Sequence, residues 1–73
     1  MTRRNRDWSK PLTPREREVA LLVVRGLSNK AVARALGLST GTVKLHLHRV
    51  FQKLGVKTRY ALSVRAQFRS AAE

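Results

Sequence analysis

The sequence predicts an all-α fold: a four-helix helix-turn-helix domain preceded by a basic N-terminal arm. Three observations predict it. Glycines at 26, 37 and 55 each close a stretch whose apolar residues recur at helical spacing. A serine or threonine (Thr13, Ser28, Ser39, Thr58) stands where each helical stretch begins. No alternating strand pattern, Asn-Gly turn or internal repeat interrupts the series.

Residues 1–11 read as the arm: Arg3, Arg4, Arg6 and Lys10 surround Trp8 with no period. The first helix is expected over about 14–25. Thr13 and Glu16 form a capping box, in which hydroxyl and carboxylate each satisfy an orphan N–H. Pro14 falls at the first helical position, where its missing N–H costs nothing. Glu16 and Glu18 complement the helix dipole, and Val19, Leu22 and Val23 supply the apolar spacing. The second helix, about 29–36, is capped by Ser28, with Leu27 and Val32 as a hydrophobic staple. The third starts at Ser39 or Thr40, with Leu38 and Val43 as staple, and runs to Leu54. Thr58 caps a fourth helix reaching about residue 70, which leaves 71–73 as a tail. The domain thus spans 12–70, with the helix-turn-helix at about 29–48.

Composition narrows the function. The chain has 73 residues, no cysteine, and sixteen Lys and Arg against four Asp and Glu, a net charge of +12. So short a chain buries only ~60% of its unfolded surface and has no room for a deep catalytic cavity. Disulfides, cysteine-ligated zinc and thiol nucleophiles are excluded. The longest apolar run, Val19 to Val24, is six residues, against about 20 for a membrane span. No apolar run follows the basic N-terminus, so no secretory signal is visible. A soluble, cytoplasmic, basic domain whose partner is a polyanion is the expectation.

Gly37-Leu38-Ser39 alone separates the second and third helices, which is helix-turn-helix spacing. Ala33, four residues before Gly37, lets the helices approach, and Leu36, Leu38, Val43 and Val50 fill the wedge. Unrolled at about 100° per residue, the third helix gathers Val43, Leu47, Val50 and Leu54 into one core stripe. Lys44, Leu45, His48, Arg49 and Gln52 lie opposite. Lysine can reach a phosphate or a guanine edge, glutamine an adenine, and leucine a thymine methyl. Gly41, one turn before Lys44, carries no side chain and permits close backbone approach.

The residues Leu12-Thr13-Pro14-Arg15-Glu16-Arg17-Glu18-Val19, Gly26-Leu27-Ser28-Asn29-Lys30, Ala33-Arg34-Ala35-Leu36-Gly37-Leu38-Ser39, Thr42-Val43-Lys44-Leu45-His46 and Lys53-Leu54-Gly55-Val56 carry a resemblance. In order and spacing they are similar to the LuxR-type (GerE-like, FixJ/NarL-type) DNA-binding domain of bacterial regulators, over about residues 12–68. The resemblance implies a sequence-specific transcriptional regulator with its third helix in the major groove and its fourth at a dimer contact. It implies base reading by Lys44, Leu45 and His48. It places Asn29, Lys30, Thr40 and Thr42 near backbone-contacting positions, and makes His46 the usual histidine of the family. His46, Arg49 and Lys53 join the expected DNA-backbone set. Ala31 and Ala61 depart from the acidic or amide residues often found there, at a cost of ~0.5 kcal/mol each in local capping. Gly41 stands where a longer side chain is common.

On the fourth helix Tyr60, Ala61, Val64 and Phe68 form one stripe, and Leu62 and Ala66 another. Tyr60, Leu62, Val64 and Ala66 are the dimer candidates, and either stripe could be the one that meets a second copy. The expected partners are double-stranded DNA, a weak homodimer formed on DNA, and RNA polymerase or a regulatory protein, with no membrane and no cofactor. His46 and His48, two apart, point to different sides of a helix, so no metal site is expected. No catalytic constellation is visible. Two readings compete: a promoter module like sigma-factor region 4, and a basic RNA-binding helical protein. Met1 and the arm fit a complete small regulator, and an excised output domain fits the same residues.

Overall fold

The structure, a computed structural model, describes residues 12–72, with side chains described through residue 65. The arm, with Trp8 and its basic residues, lies outside the described residues, as do the side chains of Ala66 and Phe68. Four helices follow in order: α1 Pro14–Val24, α2 Asn29–Leu36, α3 Thr40–Leu54 and α4 Arg59–Ala72. The all-α reading holds. The helix ends fall within two residues of expectation, α4 running on to Ala72 rather than stopping near 70.

Local chemistry sets these boundaries. Thr13 Oγ1 accepts from the Glu16 N–H at 3.1 Å while Glu16 Oε1 accepts from the Thr13 N–H at 3.0 Å, completing the capping box. Ser28 Oγ accepts from Ala31 N–H, Ser39 Oγ from Thr42 N–H and Thr58 Oγ1 from Ala61 N–H, each at 3.0–3.1 Å. The cap of α3 is therefore Ser39, not Thr40. At the turn between α2 and α3, Gly37 adopts φ 70°, and Leu38 N–H reaches back to Ala33 O at 2.8 Å. That left-handed residue favours glycine, because a Cβ there crowds the backbone. It turns the chain tightly enough for the α3 cap, Ser39, to follow two residues later.

The core is one cluster drawn from every helix. It contains Leu12 before α1, Val19, Ala20 and Val23 of α1, and Val32 and Ala33 of α2. Val43, Leu47, Val50 and Leu54 of α3 and Leu62 of α4 complete it. The expected α3 stripe is thus the buried one. Leu27, Leu36 and Leu38 pack against its edge. Packing is α3 on α1 and α2, and α4 on α1. Leu62 is fully buried, which corrects its place among the dimer candidates: its side chain closes the core. Burying a leucine is worth about 1.5–3 kcal/mol, which a partner contact would have to surrender.

Candidate nucleic-acid interface

Because α3 spends one stripe on the core, its other face is open. Gly41, Lys44, Leu45, His48, Arg49 and Gln52 are all exposed, Leu45 at 48%. Nothing in the fold requires glycine at 41. A Cβ there would meet only Ser39 Oγ, at 3.9 Å, in ordinary contact. The backbone-contact candidates cluster at the two helix starts beside this face. Lys30 and Thr40 are exposed, and Thr42 is half-buried, its Oγ1 accepting from Ser39 Oγ at 3.0 Å. Asn29 is half-buried and bonded to Arg59, whose Nη1 donates to Asn29 Oδ1 at 2.7 Å. Asn29, Lys44, His48 and Arg59 line one open groove floored by Leu47 and Phe51.

Two expected phosphate ligands sit elsewhere. Lys53 Nζ lies 2.7 Å from Glu16 Oε1 on α1, an ion pair within the domain that competes with the phosphate role expected of it. The Glu16 side chain is only 3% exposed and Lys53 34%. Burial alone would raise the Glu16 pKa. The Lys53 ammonium and the Thr13 N–H outweigh it, His46 adds a smaller electrostatic pull, and the carboxyl is held below its ordinary value. His46 is half-buried, and its Nδ1 is buried without a hydrogen-bond partner. It lies on the Lys53 flank of α3 rather than on the open face. Among the described residues no group of His, Cys, Asp and Glu could hold a metal.

The order of helices, the three-residue turn and the open α3 face match a known pattern. Residues 10–66 fit the family model of bacterial regulatory proteins, luxR family. The chain belongs to the luxR family. It is 43% identical to the transcriptional regulatory protein MctR of Rhizobium johnstonii, over 85% of this chain and 31% of that protein. It is 42% identical to the nitrate/nitrite response regulator protein NarL of Escherichia coli, over 73% of this chain and 24% of that one. An HTH-type transcriptional regulator of Mycobacterium bovis is 49% identical over 78% of this chain and 6% of its own length. The chain thus spans under a third of each of these relatives.

In this luxR-family domain α4 presents Tyr60, 78% exposed, and Val64, 45% exposed, on the side away from Leu62. Four contacts escaped the sequence reading. Besides its bond to Asn29, Arg59 donates through Nη2 to Leu27 O at 2.7 Å. Arg65 Nη1 donates to Leu54 O at the end of α3. The Glu16–Lys53 pair is the fourth. Only Glu16 carried a signal: it shares the helical register of Val19, Ala20 and Val23, so it had to face the core. No helix among the described residues is long and apolar enough to cross a membrane.

Proposed function

We propose that this luxR-family domain binds duplex DNA as a transcriptional regulator, with α3 lying in the major groove. The observation that carries the reading is the division of α3: four side chains locked in the core, and an uncovered opposite face bearing Lys44, Leu45 and His48. A helix held this rigidly and this proud fits the groove's width. Lys44, Leu45 and His48 read base edges. Asn29, Lys30, Thr40, Thr42 and Arg49 contact the sugar-phosphate backbone, where a +12 chain gains most of its salt-dependent affinity. His46 supports the inner flank of α3. Such a regulator works in the bacterial cytoplasm, with RNA polymerase or a regulatory protein as a further partner.

Two copies meet through Tyr60 and Val64 on neighbouring half-sites. Their exposed apolar area is small against the ~1,000 Å² of a stable interface, and like charge opposes free association. DNA holds the copies about 34 Å apart and screens that charge. Selection of bound duplexes from a random pool tests the whole reading. The expected result is a defined half-site, often paired at fixed spacing, for which Lys44→Ala loses roughly 1–3 kcal/mol of affinity. Recovery of random duplexes would remove the sequence-specific part of the reading, and preference for structured RNA in competition would replace it with the RNA-binding reading.

A further inference from the structure

The structure assigns Arg59 a role that the DNA reading does not itself contain: it is a positioning residue that turns Asn29 into a donor for a DNA phosphate. The inference rests on that reading and begins with the chemistry of the pair. A guanidinium has five N–H donors and no acceptor. The Asn29 atom facing Arg59 Nη1 at 2.7 Å is therefore the amide oxygen. With that oxygen occupied, the amide has only its NH2 group left to offer. An unpinned asparagine could turn either end toward DNA, and its oxygen would repel a phosphate.

Arg59 is itself held. Its Nη2 donates to Leu27 O at 2.7 Å, so the planar fork serves two acceptors at once and cannot rotate freely. Both acceptors lie at the entry to α2, 30 and 32 residues away in sequence. Asn29 and Arg59 share their open groove with Lys44 and His48. The donor end of the amide is thus presented beside the face of α3 proposed to enter DNA. The arrangement also makes the first residue of α4 a structural link between the DNA-backbone contact and the helix that carries Tyr60.

A double-mutant cycle on the full chain tests this. Asn29→Ala, Arg59→Gln and the double variant are compared for binding to the selected duplex across a salt series, well below the unfolding midpoint of each. Asn29→Ala should weaken binding roughly ten- to a hundredfold, the range for a hydrogen bond to a charged group. Its log–log salt slope should stay unchanged, because a neutral amide displaces no counterion. Arg59→Gln should weaken binding comparably, and the double variant should be no weaker than Asn29→Ala alone. Arg59→Lys, which keeps the charge but not the fork, should fold and show part of the same loss.

Losses that multiply in the double variant would overturn the proposal. So would a salt slope reduced by about one unit in Arg59→Gln, since that marks a direct phosphate contact by the guanidinium. Failure of the unaltered chain to bind any duplex would remove this inference together with the DNA reading, whereas wild-type affinity in Asn29→Ala would remove this inference and the Asn29 backbone contact and leave the rest of the DNA reading standing.

Discussion

Lys53→Met separates two roles for one lysine. As a phosphate ligand it would matter only with DNA present. As the partner of Glu16 it matters to the fold. The Glu16 carboxylate is 3% exposed and accepts from Lys53 Nζ and the Thr13 N–H. Removing one partner of a fully buried ion pair costs about 3–5 kcal/mol. Lys53 keeps 34% exposure, so water can partly replace it, and the expected loss is about 1–3 kcal/mol. In a domain of this size that lowers the unfolding midpoint by roughly 5–20 °C. Thermal unfolding followed by circular dichroism measures it, and DNA titrations across a salt series measure the other role. Lys53→Met should show a lower midpoint and an unchanged salt slope below it. An unchanged midpoint with a slope smaller by about one unit would refute the pairing and restore Lys53 to the phosphate set.

Gly41→Ala should stabilise the free domain by about 0.5–1 kcal/mol, since a helical glycine costs that much relative to alanine and the added Cβ meets only Ser39 Oγ, in ordinary contact. The same change should weaken binding to the selected duplex, and a variant that gains stability and keeps full affinity would show that close approach is not needed there. Leu62→Ala should cost about 2–5 kcal/mol in chemical denaturation, whereas Tyr60→Ala should leave monomer stability within about 0.5 kcal/mol and abolish cooperativity between correctly spaced half-sites. Glu16 gives the stability a pH dependence of defined sign. Its folded pKa is below the ordinary 4.5, so its contribution is fully present above that value and fades as pH falls through the folded pKa. Glu16→Gln should flatten the acid limb of the stability profile, and an acid limb identical to that of the unaltered chain would place the sensitivity in another group.

What the sequence made legible was local. Thr13, Ser28, Ser39 and Thr58 act on N–H groups three residues away, so each helix start could be read from a short window. The α3 stripe was equally plain, because a fifteen-residue helix repeats its period several times. The long-range pairings were not legible. Glu16–Lys53 spans 37 residues and Asn29–Arg59 spans 30, and neither spacing carries a periodic signal. On α4 the pattern yielded two apolar stripes but no reason to prefer one. The choice depends on how α4 meets α1, which buries Leu62 and leaves Tyr60 outside. On a strongly basic surface the sequence also could not tell a lysine engaged with a buried carboxylate from one left for a phosphate.

Docking of the outward α3 face on DNA can be followed residue by residue by amide chemical-shift mapping, with the isotope-labelled chain titrated with the duplex recovered from the random pool. The largest shifts are expected at Gly41, Lys44, Leu45 and His48 and at the α2 start around Asn29 and Lys30, with little change around Leu21 and Arg25 on α1. Shifts concentrated around Leu21 and Arg25, with the α3 amides unmoved at saturation, would contradict it.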